Sequence, residues 1–302
     1  MMRLVSCVLL SLFVGACATA PTKVKETVER KRDEAGVSQS MPIKITPQTI
    51  IVDARPAFEY STAHVPGSVN MQWRSFTDPE RSGELHGDHF ALARRLSWVG
   101  INPESHVVVV GNGLRGNGEE GRIAWMLSFL GVKNVQFAEL DSLNFRLTNL
   151  VEENRPKSIP MWKPRVLESL VSSREEVIFV INKKGVHQPV SFEKGSPPVL
   201  YRFIDVRSED DYLGREGFGA RQPVPNMDAI NIPWREFFHP SMRVKTEMAV
   251  KLKEVGILPQ HRIIVLSDDG VSSAAVTMAL RALGYRNSAN YAGGLADLLS
   301  RR

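Results

Sequence analysis

A motif near residue 50 returns 152 residues later, and that return constrains the fold more than any other feature of the chain. Ile51-Val-Asp53-Ala-Arg55-Pro-Ala-Phe-Glu-Tyr60 and Phe203-Ile-Asp205-Val-Arg207-Ser-Glu-Asp-Asp-Tyr212 both read apolar-apolar-Asp-x-Arg-x4-Tyr. Each is followed by a second shared stretch, Ser68-Val-Asn70-Met-Gln-Trp73-Arg74-Ser-Phe76 and Ala229-Ile-Asn231-Ile-Pro-Trp234-Arg235-Glu-Phe237. Then comes an all-aliphatic run, Val107 to Val110 or Ile263 to Leu266. Each run leads through a glycine-containing loop into an apolar helix ending in Leu130-Gly131 or Leu283-Gly284. A strand without alternation is buried on both faces, as in a parallel sheet, and strands that alternate with helices make βαβ units. The sequence therefore predicts an α/β protein of two similar domains, each a small central parallel sheet flanked by helices, over residues 42–150 and 166–302. The proline-bearing stretch 151–165 reads as a linker. Short apolar runs at Val177 to Ile181 and Val190 to Phe192, broken by Lys183-Lys-Gly185, suggest a hairpin added to the second domain.

Ahead of the repeats lies a different kind of sequence. Arg3 precedes an apolar run, Val5 to Ala16, that is too short to span a bilayer comfortably. It ends in Val14-Gly15-Ala16-Cys17, which resembles a bacterial lipobox. That resemblance implies a lipoprotein signal over residues 1–16, lipidation at Cys17 and a tether over 17–41. Acyl chains would anchor the protein without a spanning helix. Ala18, where an aspartate would favour retention at the inner membrane, implies the outer membrane of a bacterial cell envelope. The net charge of +5 is modest for 302 residues, and the clearest charged run, Lys23 to Glu34, mixes both signs. A solvated tether fits it better than a nucleic-acid patch, so the expected partners are the membrane, an envelope protein or a small anion.

The chain has two cysteines, Cys7 and Cys17. Beyond Cys17 there is no thiol for a disulfide, a thiolate metal site or a cysteine nucleophile.

The repeated Asp-x-Arg-x4-Tyr motif, with Ala63-His64-Val65-Pro66-Gly67-Ser68-Val69-Asn70 after it, resembles the opening of a rhodanese domain. The second half keeps the pattern less well, in Gln222-Pro-Val-Pro225 to Trp234, with no histidine. The tandem arrangement is similar to two-domain thiosulfate and mercaptopyruvate sulfurtransferases. In that family the second-domain loop reads Cys-x-x-Gly-x-Arg, in which curled backbone amides and a helix N-terminus lower the thiol pKa. Aligned on Gly270, the stretch Ser267-Asp268-Asp269-Gly270-Val271-Ser272 places Ser267 at the cysteine position and Ser272 at the arginine position. A serine nucleophile needs an adjacent base, and no histidine lies in this loop. A hydroxyl cannot carry sulfur as a persulfide, and two carboxylates would repel an anionic donor. The resemblance thus implies a sulfurtransferase homologue that has lost its chemistry and serves binding. The competing expectation is sulfur transfer by a route that does not use cysteine. The aspartates read as caps of the following helix, or as ligands of a divalent cation.

The corresponding first-domain loop, Gly111-Asn-Gly113-Leu-Arg115-Gly116-Asn-Gly118-Glu-Glu-Gly121-Arg122, has no cysteine. Gly113, Arg115, Gly116 and Arg122 form a candidate anion site. Gly111-x-Gly113-x-x-Gly116 also matches a dinucleotide fingerprint, but the nearest acidic candidates, Glu139 and Asp141, lie too far on. A loop that needs positive φ angles uses glycines in the same way. No cofactor and no metal centre is expected. Glu84-Leu-His86-Gly-Asp88-His89 reads as a polar turn in which Asp88 caps a helix over His89 to Trp98. His64 reads as structural, Trp73 and Trp234 as core or interface anchors, and each Asp-x-Arg pair as an ion pair at a strand end.

Overall fold

The computed structural model describes residues 42–150, 156–217 and 224–300. The signal and tether, Cys17, the first residues of the linker, Gln222 and Pro223 lie outside the described residues. No helix among the described residues is long and apolar enough to cross a membrane.

Two parallel sheets account for the two halves. The first contains β1 (Ile50–Asp53), β2 (Val69–Asn70), β3 (His106–Gly111) and β4 (Asn134–Glu139), in the order β2-β1-β3-β4. Its helices are α1 (Ala57–Thr62), α2 (His89–Trp98) and α3 (Glu119–Phe129). The second contains β5 (Val171–Ser172), β6 (Tyr201–Asp205), β7 (Ile230–Asn231), β8 (Arg262–Leu266) and β9 (Ser288–Tyr291), in the order β5-β9-β8-β6-β7. Around it lie α4 (Arg174–Asn182), α5 (Glu209–Tyr212), α6 (Met248–Glu254), α7 (Val271–Ala282) and α8 (Gly294–Ser300). The two aliphatic runs are the central strands β3 and β8, which explains why they show no alternation.

The repeated motif has one structural job, performed twice. Asp53 accepts from the backbone amide of Arg55 at 3.0 Å and from its Nη2 at 2.7 Å. Asp205 and Arg207 do the same at 3.0 and 2.7 Å. Asn70 Nδ2 donates to the carbonyls of Asp53 and Arg55, and Asn231 Nδ2 to those of Asp205 and Arg207. Tyr60 and Tyr212 each donate a hydroxyl hydrogen bond to the chain just before the next strand, at Ser68 O and Ala229 O. The motif therefore ties the end of the first strand to the return of the chain. It satisfies backbone groups that a tight strand-to-helix turn leaves over.

The hairpin expected near residues 177–192 is not present. Val177 to Ile181 lies inside α4, whose Val177 and Val180 pack into the second domain's core. Ser173 caps this helix by accepting from Glu176 N at 3.1 Å. Glu176 then forms a buried pair with Arg262, 3.0 Å apart, which fastens α4 to β8. Ser173-x-x-Glu176 is a capping-box spacing, and it outweighs a short apolar run that periodicity alone leaves ambiguous. Val190 and Val199 form only an isolated antiparallel bridge. The described part of the linker, 156–165, is strapped to the first domain. Ile159 N donates to Ser97 O, and Trp162 Nε1 donates to Ile101 O.

The halves share one apolar core, which includes Ile123 and Trp125 from α3 and Ala275, Trp234 and Phe238 from the second half. Helices α3 and α7 meet backbone to backbone. A Cβ on Gly121 would lie 2.4 Å from the Ala275 Cβ and 2.7 Å from its Cα. Gly121→Ala is therefore expected to destabilise the fold by about 1–3 kcal/mol, as overpacking does. Chemical denaturation of the two single variants and the double variant with Ala275→Gly should show favourable coupling of roughly 0.5–3 kcal/mol between the two positions. Additive effects would mean that the helices do not touch here.

Candidate functional site

Strand β8 is buried throughout, and the chain turns sharply as it leaves Leu266. Ser267, 2% exposed, sits at the base of that turn. Its Oγ accepts from Gly270 N at 3.1 Å and lies 2.8 Å from Ser273 Oγ. The Ser273 hydroxyl donates to Asn290 Oδ1 at 2.7 Å, so the Ser267 hydroxyl donates to Ser273. Asn290 Nδ2 donates to Gly270 O at 3.1 Å. These bonds close a ring: Ser267 to Ser273, to Asn290, to the Gly270 carbonyl, and from the Gly270 amide back to Ser267. The Ser267 proton is held by a hydroxyl, and no general base stands in the ring.

The loop is enclosed by backbone. Gly270 takes φ +77, and a Cβ there would lie 2.0 Å from Ala292 O. Gly83 of the first domain lies over the same turn, where its Cβ would meet Ala292 O at 2.2 Å and Asp269 O at 2.3 Å. Asp269, one residue ahead of the N-cap Gly270, accepts from Val271 N at 3.2 Å through Oδ1, an Asx-type turn that leads into α7. Asp268 does not cap either. Its carboxylate stands 3.6 Å from Arg207 Nη1. Burial pushes its pKa up to about 6 against the pull of Arg207. Ser272 lies where α7 faces Gly118 of the first domain.

The first-domain loop is closed differently. Val110 and Leu266 pair with Asp53 and Asp205 in matching registers, so Gly111 holds the place that Ser267 holds. The space a side chain would take at Gly111 is filled by Glu120, whose Oε2 would lie 2.3 Å from a Cβ there. Glu120 is fully buried, and desolvation raises its pKa to about 8. Gly113, at φ +58, has no room for a side chain beside Glu139 and Pro240 O, and Gly116 lies against the Glu119 carboxylate.

The four proposed anion-binding residues are not gathered into one site. Arg115 pairs with Asp141 at 2.7 Å and Glu139 at 3.2 Å. Arg122 is 1% exposed and donates to Gly270 O at 3.2 Å and to Gly83 O. It lies against the Trp125 ring, 4.5 Å from its centre. Burial without a paired carboxylate lowers its pKa to about 9, with distant support from Asp269. Arg122 therefore grips the second-domain loop from behind. The second domain returns the contact, with Arg235 Nε and Nη2 donating to Leu114 O and Gly116 O.

The remaining sequence candidates are structural in placement. His64 Nδ1 lies 2.8 Å from Tyr60 O and its ring stacks on Tyr60. Asp88 Oδ1 accepts from Ala91 N at 2.9 Å and so caps α2. Trp234 is buried and packs edge-on to Phe238. Trp73, partly buried, packs against the same core and also forms a wall of a cleft of about 210 Å³. Ala54, Gln72, Arg74, Asn117 and Glu119 line it from the first domain, and Asp269 and Val271 from the second. It opens where α/β sheets hold ligands, beyond the carboxyl ends of strands. The sequence reading did not single out Arg74, Asn117 and Glu119 as a site. The signal available was that Trp-Arg recurs in both halves; that only Arg235 grips the other domain shows in the structure alone. Among the described residues no three His, Cys, Asp or Glu side chains stand together as a metal site.

Glu120 makes stability depend on pH. Its folded pKa lies above its ordinary value of 4.5, so the folded state holds a proton that the unfolded chain has released. Stability is full below about pH 4.5 and falls as pH rises through 8. Asp268 adds a similar fall, complete by about pH 6. Between pH 6 and 8 the decline in the thermal midpoint should therefore flatten in Glu120→Gln. An unchanged slope would mean that Glu120 is ionised in the folded protein.

The rhodanese-like domain family matches residues 41–140 and again 191–300. Among curated proteins, the thiosulfate sulfurtransferase of Azotobacter vinelandii is 26% identical over 265 residues, 83% of this chain and 88% of that protein. The enzyme of the same name from Pseudomonas aeruginosa is 25% identical over 264 residues, with the same coverage. Among solved structures, SseA of Escherichia coli, described as a 3-mercaptopyruvate sulfotransferase with the rhodanese fold, superposes with a TM-score of 0.62 at 21% identity. That alignment covers 82% of this chain and 93% of SseA. Tum1 of Saccharomyces cerevisiae superposes at 0.64 with 16% identity, over 85% of this chain and 90% of Tum1. With two parallel sheets in matching register and the family pattern found in both halves, this chain belongs to the rhodanese-like domain family, as a two-domain, sulfurtransferase-like member.

Proposed function

We propose that this protein is a sulfurtransferase homologue without sulfurtransferase chemistry, held in the bacterial cell envelope by a lipid on Cys17 and acting there as a binding module. The observation that carries the reading is the closed ring around Ser267. The loop that in this family bears a cysteine bears a hydroxyl, buried, with its proton donated to Ser273 and no base beside it. No other residue after Cys17 can supply a thiol. The lipobox-like Val14-Gly-Ala-Cys17 supports the anchor, and Ala18 supports the outer membrane.

The small-anion ligand expected from the loop arginines finds little support. Arg115 is neutralised by Asp141 and Glu139, and Arg122 is turned inward. A protein partner or a ligand of the cleft is the better reading.

Cyanide-dependent sulfur transfer from thiosulfate and from mercaptopyruvate tests the proposal, with Ser267→Cys and Ser267→Cys/Ser272→Arg beside wild type. The wild type should be silent. In Ser267→Cys the new thiol should react with a thiol reagent on the order of tenfold more slowly than an exposed cysteine, because it is enclosed beneath Gly83. Wild-type turnover that Ser267→Ala abolishes would overturn the binding-module reading in favour of a mechanism that does not use cysteine.

A further inference from the structure

The cleft beside Trp73 is lined by three charged side chains without an ion-pair partner among the described residues. Glu119 and Asp269 line it, and neither forms an ion pair among the described residues. Arg74 lines it too, with its guanidinium 4.4 Å from the centre of the Trp73 ring and no carboxylate partner among the described residues. In the other half, the matching Arg235 is engaged by two carbonyls. Arg74 thus stands where its repeat partner makes an interdomain contact, yet it faces the cleft.

Two helix N-termini, of α3 and α7, also point towards this place and would ordinarily favour an anion. At each start a carboxylate of the chain already sits against one backbone amide. Asp269 Oδ1 accepts from Val271 N, and Glu119 Oε2 accepts from Asn117 N at 2.8 Å. Glu119 also accepts from Asn117 Nδ2 through Oε1 at 3.3 Å, and both carboxylates keep lone pairs beyond these bonds. The cleft therefore presents acidic acceptors on two walls and, on another, the Trp73 ring with the Arg74 guanidinium over it. At about 210 Å³ it is smaller than the roughly 300–1,000 Å³ of drug-sized sites, so its occupant is small.

We propose that this cleft binds a small zwitterion of the amino-acid class, with its ammonium towards Glu119 and Asp269, its carboxylate towards Arg74 and its apolar part beside the Trp73 wall. Aromatic faces and carboxylates are the usual receivers of ammonium groups, and a guanidinium receives a carboxylate with two parallel hydrogen bonds. The assignment rests on the binding-module reading, because it treats the cleft as a place that holds a ligand and does no sulfur chemistry.

The test uses calorimetric titration of the purified protein with three matched probes: phenylalanine, phenethylamine and 3-phenylpropionate. The expected order is phenylalanine tightest, phenethylamine weaker and 3-phenylpropionate weakest. Asp269→Asn with Glu119→Gln keeps both backbone hydrogen bonds and removes both charges. It should weaken phenylalanine by about tenfold or more, which is about 1.4 kcal/mol. Arg74→Ala should make phenylalanine and phenethylamine bind alike. The proposal is overturned if 3-phenylpropionate or thiosulfate binds as tightly as phenylalanine, if the charge-removed variant binds it unchanged, or if no saturation is seen by about 10 mM. Sulfur transfer, assayed on the same preparation, separates the two readings. Wild-type turnover removes the proposed function and leaves the zwitterion site to its own data, whereas failed binding in a silent protein removes the site alone.

Discussion

The contact between Gly121 and Ala275 holds the rest of the molecule in register. It brings α3 and α7 to backbone distance, and these helices begin at the two loops that matter. Helices this close need small residues at the crossing, and packing at that density transmits any misfit. On either side of the crossing an arginine reaches over. Arg122 holds the carbonyl of Gly270, and Arg235 holds those of Leu114 and Gly116. Each half therefore supplies the donor that satisfies the other half's loop. A buried guanidinium among carbonyls and tryptophan rings is costly to desolvate, and Arg122 offsets that cost by donating to the carbonyls of Gly270 and Gly83.

Two copies of one βα loop have been closed by different means. In the second half, Ser267 completes a ring through Ser273 and Asn290 in which each hydroxyl and amide has a partner. In the first half, residue 111 is glycine and the vacancy is filled by the Glu120 carboxyl, kept protonated by burial. Both solutions fill the space beneath the loop with the chain's own polar atoms. A loop filled in this way keeps its shape without a ligand and offers little to one. The places left for recognition are the walls around it, above all the Trp73 cleft.

Much of this was legible in the sequence. The central strands followed from two aliphatic runs, the halves from a spacing of 152 residues, and the lack of a thiol from a count of cysteines. The Asp-x-Arg pairs and the Asp88 cap act within a few residues of themselves, so local pattern sufficed. Helix α4 was hidden because five apolar residues fit a strand as well as a helix turn, and the cap that decides between them precedes the run. The role of Arg122 was not legible at all. Its partner, Gly270 O, lies 148 residues away, and glycine-rich context made the arginine look like an anion ligand. Glu120 was missed for the same reason, since only the folded loop shows that Gly111 makes room for it.

The two Trp-Arg pairs show how duplicated halves come apart. At Trp234-Arg235 the ring enters the core and the guanidinium binds the neighbouring loop. At Trp73-Arg74 the ring lines a cleft and the guanidinium lies over it. The difference follows from the asymmetry of the interface. The first-domain loop is three residues longer between its strand and its helix, so it extends far enough for Arg235 to reach two of its carbonyls. The shorter second-domain loop, Ser267 to Gly270, is gripped by Arg122 from α3 instead, which leaves Arg74 with no loop to hold. A residue released from a structural task, beside an aromatic wall and two carboxylates without an ion-pair partner, is the material from which a binding site is made.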